Sequence, residues 1–139
     1  MNDTTGTAAG LHGTMLDVGS IDIGDLDFSV LELVCRHWTR YPATSPAQTA
    51  ARMVDTELVV SNKVVIGSEE MDAATKLRLI CIAATGTNNV DLHAARERGI
   101  AVTNVTGYAT PSVVQHALAI MLGWATRLAE QQQAVQAGN

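Results

Sequence analysis

Two short stretches carry residue types suited to holding a small anion. Thr85-Gly86-Thr87-Asn88-Asn89 closes the apolar run Leu79 to Ala84, and its small or absent side chains let a carboxylate approach the backbone N–H groups around Thr85 and Gly86. Each charge-assisted bond of this kind is worth roughly 1.5 to 3 kcal/mol. Ser61-Asn62-Lys63 closes the run Leu58-Val59-Val60 and adds an amide and an ammonium. On the residues alone, an ordinary strand-to-helix turn accounts for Thr85-Gly86 equally well, and a solvated loop charge accounts for Lys63.

The remaining candidates point to less. His93 and His116 have the chemistry of proton carriers, yet both fall on helical patterns and read as surface or packing residues. Cys35 and Cys81 lie far apart in apolar runs, as buried reduced thiols do, and form neither a disulfide nor a metal-ligand pattern. Asp17, Asp22, Asp25 and Asp27 raise the idea of a cation site, but an acidic turn after a strand is more simply a solvated surface with a helix cap. The dinucleotide fingerprint G-x-G-x-x-G is absent. Gly19 and Gly24 have the spacing of a phosphate loop, but Asp25 stands where its lysine belongs. No metal ligands and no catalytic acid–base pair are assigned.

The elements that must position these residues alternate between strand and helix, the rhythm of a parallel sheet. Met1 to Gly13, poor in large apolar groups, reads as a disordered leader. Thr14 to Gly19 is the first strand; Phe28, Leu31, Val34 and Cys35 mark a helix that Asp27 can cap. Trp38 to Tyr41 is a short strand. Ser45 with Pro46 opens a helix to about Met53, because proline at the first helical position gives up only an N–H without a partner. Leu58 to Ser61 is the third strand, and Ser68 caps a helix carrying Glu69 and Glu70 at its positive end. Leu79 to Ala84 is the fourth. A helix over Val90 to Arg98 stops at Gly99, and Ile100 to Asn104 is the fifth strand. Thr110-Pro111 opens a long helix on which Val114, Ala117, Leu118, Met121, Ala125 and Leu128 form one stripe, with Val113, Ile120 and Trp124 outside it. Such a helix needs cover on more than one side.

At 139 residues and 47% hydrophobic, the chain suits one ordinary domain, with no room for a second of dinucleotide-binding size. Few aromatics (4%) and many aliphatic residues favour a sheet layered with helices over an aromatic-rich binding module. A net charge of -5 with nine scattered Lys and Arg excludes a nucleic-acid surface. No stretch approaches the roughly 20 apolar residues that cross a bilayer, and there is no signal peptide, so the expected place is the cytoplasm.

Three runs in order, Ala84 to Asp91 (ATGTNNVD), Ala95 to Asn104 (ARERGIAVTN) and Gly107 to His116 (GYATPSVVQH), resemble the catalytic-domain pattern of the D-2-hydroxyacid dehydrogenases, nearest the glycerate dehydrogenase and hydroxypyruvate reductase branch. The likeness covers most of Met15 to Leu128. It implies an α/β, flavodoxin-like open parallel sheet of five strands with helices on both faces. On this division residues 14–109 are the substrate-binding domain, 110–130 a helix crossing to a coenzyme domain that the chain lacks, and 131–139 a frayed tail. It implies that the Thr85 and Gly86 amides bind the carboxylate of a small 2-hydroxy or 2-keto acid, that Asn62 and Lys63 line its other side, and that Val113 sits at the crossover toward the nicotinamide of NAD or NADP. The family's Val-Ala-Glu or Val-Ala-Gln reads Val113-Val114-Gln115 here, a bulkier middle residue that changes the packing. The family's arginine, glutamate and histidine belong to the coenzyme side. The chain alone is therefore expected to bind no coenzyme and to be inactive, with a complementing Rossmann-domain chain or self-association through the 110–130 helix as its partners. A receiver or an FMN-binding flavodoxin fits less well: the third strand ends without an Asp, and the first turn is acidic where FMN phosphate needs amides.

Overall fold

The computed structural model describes residues 10–138. Contacts divide the chain into two compact units, one ending at Thr106 and the other beginning at Gly107.

The first unit is a five-stranded sheet. Its strands are β1 (His12–Met15), β2 (His37–Arg40), β3 (Leu58–Ser61), β4 (Leu79–Ile82) and β5 (Ala101–Asn104). All pair in parallel, in the order β2-β1-β3-β4-β5. Between them run α1 (Ser29–Glu32), α2 (Pro46–Met53), α3 (Ser68–Ala73) and α4 (Leu92–Glu97). Because crossovers between parallel strands are right-handed, the leftward step from β1 to β2 puts α1 on one face and the rightward steps put α2, α3 and α4 on the other. The core fills that second face: Leu16, Val59, Ile80 and Ile82 meet Met53, Met71, Ala94 and Ala95, all buried. Within the first unit, α1 covers its face at the β1 and β2 end. There the Trp38 ring lies over Gly13 and its Nε1 donates to the Leu31 carbonyl at 2.8 Å.

Local chemistry sets most boundaries. Gln48 reaches back from α2 to the Ser45 N–H at 3.2 Å. Asp91 caps α4 by accepting from the N–H groups of His93 (3.0 Å) and Ala94 (2.9 Å). Gly99 ends that helix region at φ +67°, a conformation in which a β-carbon is strained.

Several expected boundaries are corrected. The first strand begins at His12, so residues 12 and 13 are not leader; residues 1–9 of that expected leader lie outside the described ones. The helix marked by Phe28 to Cys35 shrinks to four residues, and Leu33 and Val34 are exposed beyond its end. Asp27 does accept the Ser29 N–H at 2.9 Å, although the cap position falls one residue later, at Phe28, and the helix starts at Ser29. Ser68 is the first residue of α3 and not its cap; Glu70 serves the start by accepting the Gly67 N–H at 2.8 Å. Cys81 is half-buried, not buried like Cys35.

The second unit holds α5 (Thr110–Ala125) and α6 (Leu128–Gln136). The single helix expected over 110–130 breaks at Arg127, whose φ of 54° is left-handed. The Thr126 hydroxyl donates back to the Leu122 carbonyl at 2.8 Å, and the Gln131 side chain donates to the Thr126 carbonyl at 2.7 Å, so side chains bond the backbone on both sides of the break. Residues 131–136, expected as frayed tail, belong to α6.

Candidate functional site

In an open parallel sheet the loops at the carboxyl ends of the strands converge on one edge. The register places Ser61 beside Ile82, and the Ala83 N–H donates to the Ser61 carbonyl at 2.8 Å. Adjacent strands therefore deliver Asn62-Lys63 and Thr85-Gly86 side by side at that edge. Val113 is exposed on α5 in the second unit.

The turn after β4 is held from three sides. Asn104 Nδ2 donates to the Thr85 carbonyl at 2.8 Å, Val105 N–H to the Ala84 carbonyl at 3.1 Å, and Asn89 Nδ2 to the Val64 carbonyl at 3.1 Å. With the Ala84 and Thr85 carbonyls engaged, the turn keeps donors to spare: among the described residues no group accepts the N–H of Thr85 or of Gly86, and both residues are exposed. Gly86 is not in the left-handed region, so its dihedrals do not demand glycine. A β-carbon there would lie 3.1 Å from Asn88 Oδ1, the end of an exposed side chain that can give way by a few tenths of an ångström.

Across the edge, Asn62 spends its side-chain donors inside the protein, on Ser20 Oγ at 3.0 Å and the Ser20 carbonyl at 3.4 Å. What Asn62 can still offer is the acceptor Oδ1. Lys63 is exposed, and among the described residues no carboxylate lies within 4.0 Å of its ammonium. The edge thus combines amide donors, a carbonyl-type acceptor and a positive charge, which suits a small acid that also carries a hydroxyl or keto oxygen.

The acidic turn divides into unlike parts. Asp17, expected at a solvated surface, is buried at 7% exposure; the correction has a physical cause, since its carboxylate accepts the N–H of Asn62 (2.9 Å) and of Lys63 (2.7 Å). Asp22 is spent on its own turn, accepting from the N–H groups of Gly24, Asp25 and Leu26 at 2.8, 3.0 and 3.1 Å. The Gly24 N–H foremost holds the Asp22 carboxyl below its usual range. Asp27 is held down likewise by the Ser29 N–H. His93 is an exposed helix residue 3.5 Å from Glu97, and His116 is exposed on α5.

Residues 24–139 match the family model described as the catalytic domain of D-isomer specific 2-hydroxyacid dehydrogenases. The chain belongs to that family. A hydroxypyruvate reductase of Blautia hydrogenotrophica is 32% identical over 89% of this chain and 39% of its own. A glycerate dehydrogenase of Methylorubrum extorquens is 34% identical over 73% of this chain and 33% of its own. The chain thus spans well under half the length of these relatives. Among solved structures, an NAD-dependent formate dehydrogenase of Staphylococcus aureus in complex with NAD shares the fold, with a TM-score of 0.69 at 22% identity over 93% of this chain and 41% of that one.

Enzymes of the D-2-hydroxyacid dehydrogenase family work with NAD or NADP, but the acidic turn of residues 22–27 does not fit a pyrophosphate. The turn after β1 is where a pyrophosphate cradle would start in a sheet of this kind. Its amides at residues 24–26 already bind the Asp22 carboxylate, and Asp25 and Asp27 add negative charge beside them.

Reading the sequence left two parts of this site out. Asn104 was visible only as the end of a strand, and nothing local announced its bond to Thr85. Asp17 had a usable signal, since it follows directly on the apolar run Met15-Leu16, but its acidic neighbours masked it.

Proposed function

We propose that this chain is the substrate side of an NAD(P)-dependent oxidoreductase acting on the CH–OH group of D-2-hydroxy acids of the glycerate and hydroxypyruvate type. In this reading the amides of Thr85 and Gly86 take the carboxylate, Lys63 supplies charge, the Asn62 Oδ1 accepts from the substrate hydroxyl, and Val113 belongs to the crossover toward the nicotinamide. The observation that carries it is the pair of exposed N–H groups without an acceptor at the end of β4, beside Lys63 at the end of β3. The two enzyme names among the relatives support the choice of acid. The coenzyme and the groups that move hydride and proton come from elsewhere, so the chain by itself binds acid without turning it over, in the cytoplasm.

The test is direct. Hydroxypyruvate titrated into the 15N-labelled chain is expected to move the amide resonances of Thr85 and Gly86. Lys63→Ala, which removes the positive charge beside those amides, is expected to weaken that binding by about tenfold, the worth of one charge-assisted hydrogen bond. Unmoved amides at residues 85 and 86, or NADH consumption by the purified chain without a partner, would refute the reading.

A second reading, a stand-alone acid-binding or interaction module, draws on the exposed Leu118, Met121 and Trp124 of α5. Sedimentation discriminates: a chain that stays monomeric at high concentration argues against association through that helix.

A further inference from the structure

We infer that Asp17 is the positioning residue of the acid site, its buried carboxylate holding the Asn62-Lys63 loop in the shape the site uses. This rests on the acid-binding reading of those same loops. Asp17 follows β1, while Asn62 and Lys63 follow β3, 45 and 46 residues away, and the pairing of β1 with β3 brings the two strand ends together. Asp17 Oδ1 accepts the Asn62 N–H at 2.9 Å; Oδ2 accepts the Lys63 N–H at 2.7 Å and lies 3.2 Å from the Ser20 hydroxyl. Ser20 completes the network, donating to the Asp17 carbonyl at 2.7 Å and accepting from Asn62 Nδ2 at 3.0 Å.

Two consecutive backbone N–H groups aimed at one carboxylate require both of its oxygens to be acceptors. Asparagine would turn an NH2 toward one of those N–H groups, donor against donor, and alanine would leave both without their acceptor. The bond from Asn62 Nδ2 to Ser20 also decides which end of the amide remains for a ligand, because the Ser20 carbonyl can face only the NH2. A cavity of about 550 Å³ lined by Asp17, Ser20, Thr44 and Lys63 borders the network, so the loop has open space to move into once these bonds are lost. Asp17 touches no part of a bound acid in this scheme; it acts through the backbone it holds.

The experiment measures amide exchange and acid affinity on the same 139-residue chain. For Asp17→Asn the expected result is faster exchange at Asn62 and Lys63 by about tenfold or more, the effect of losing a charge-assisted bond, with Val59 and Ile80 unchanged. Hydroxypyruvate binding, followed at Gly86, should weaken at least about fivefold in the same variant through loss of the ordered loop. Ser20→Ala, a milder change that keeps the fold if Asp17→Asn does not, should perturb the Asn62 side-chain resonances and reproduce a smaller part of the loss. Three results overturn the inference: loop exchange unaltered in Asp17→Asn, exchange at Val59 and Ile80 rising in step with the loop, or a loosened loop with acid affinity intact. Wild-type chain that binds no hydroxypyruvate strikes the acid-binding reading instead, while the exchange arm still decides whether Asp17 holds the loop.

Discussion

A carboxylate's surroundings, rather than its presence in an acidic run, decide what it does. Asp17 and Asp22 stand five positions apart in the sequence and both collect backbone N–H groups, yet one fixes a distant loop and the other closes its own turn. Asp22 is half-buried, and its amide bonds, first that of Gly24, lower its pKa. A carboxyl with a depressed folded-state pKa contributes stability above its unfolded value, near 3.9, and loses that contribution as pH falls through the lowered value. Acidification from neutral pH is therefore expected to leave the Gly24, Asp25 and Leu26 amide resonances in place until below about pH 4, the ordinary Asp range. They should then move together. Asp22→Asn should flatten that titration, and three amides that titrate independently of one another would show that no shared acceptor holds them.

Short elements depend on close fits between strands as much as on their own propensities. Gly13 is the clearest case, because a β-carbon there would stand 2.6 Å from the Trp38 ring, and that ring is tied to the Leu31 carbonyl through its indole N–H. Gly13→Ala must displace the ring, strain the contact between β1 and β2, and loosen α1 with it; overpacking of this kind costs about 1 to 3 kcal/mol. Urea denaturation followed by tryptophan fluorescence is the measurement, and an unchanged midpoint would mean that the ring swings aside freely. The same contact shows what a sequence can and cannot disclose. Ser45-Pro46 and Leu58 to Ser61 gave α2 and β3 their boundaries, because caps, proline and apolar runs act locally. Gly13 looked like leader because its partner is 25 residues away, and the break at Arg127 was hidden because the apolar stripe runs through it. At the edge, Thr85-Gly86 and Asn62-Lys63 could be placed from strand ends alone, whereas Asp17 needed the pairing of β1 with β3 before its two N–H partners came into view.

At the scale of the sheet, topology creates an imbalance that no residue announces. One step leftward and three rightward, all right-handed, give the α1 face a single four-residue helix and the opposite face three helices. On the α1 face Val60, Leu79 and Cys81 remain half-buried and Val105 exposed, around a groove of about 400 Å³ that Leu31, Val34 and Trp38 border. The two cysteines report on this difference. Cys35 is buried, and burial, with a smaller contribution from the Glu57 carboxylate, pushes its thiol pKa up, so the reactive thiolate is scarce there. Cys81 opens onto the groove. In dilute solution at mildly alkaline pH, iodoacetamide is expected to modify Cys81 at least about tenfold faster than Cys35, as the burial of Cys35 and its raised pKa together require. Mass spectrometry of the two cysteine peptides checks it. Equal rates in dilute solution would mean that something covers the groove. Protection of Cys81 that grows with protein concentration would identify the cover as a second copy of the chain, because only association between copies depends on concentration in this way. Val60→Asp should then abolish that protection while leaving the second face, and with it the core around Val59 and Ile80, intact.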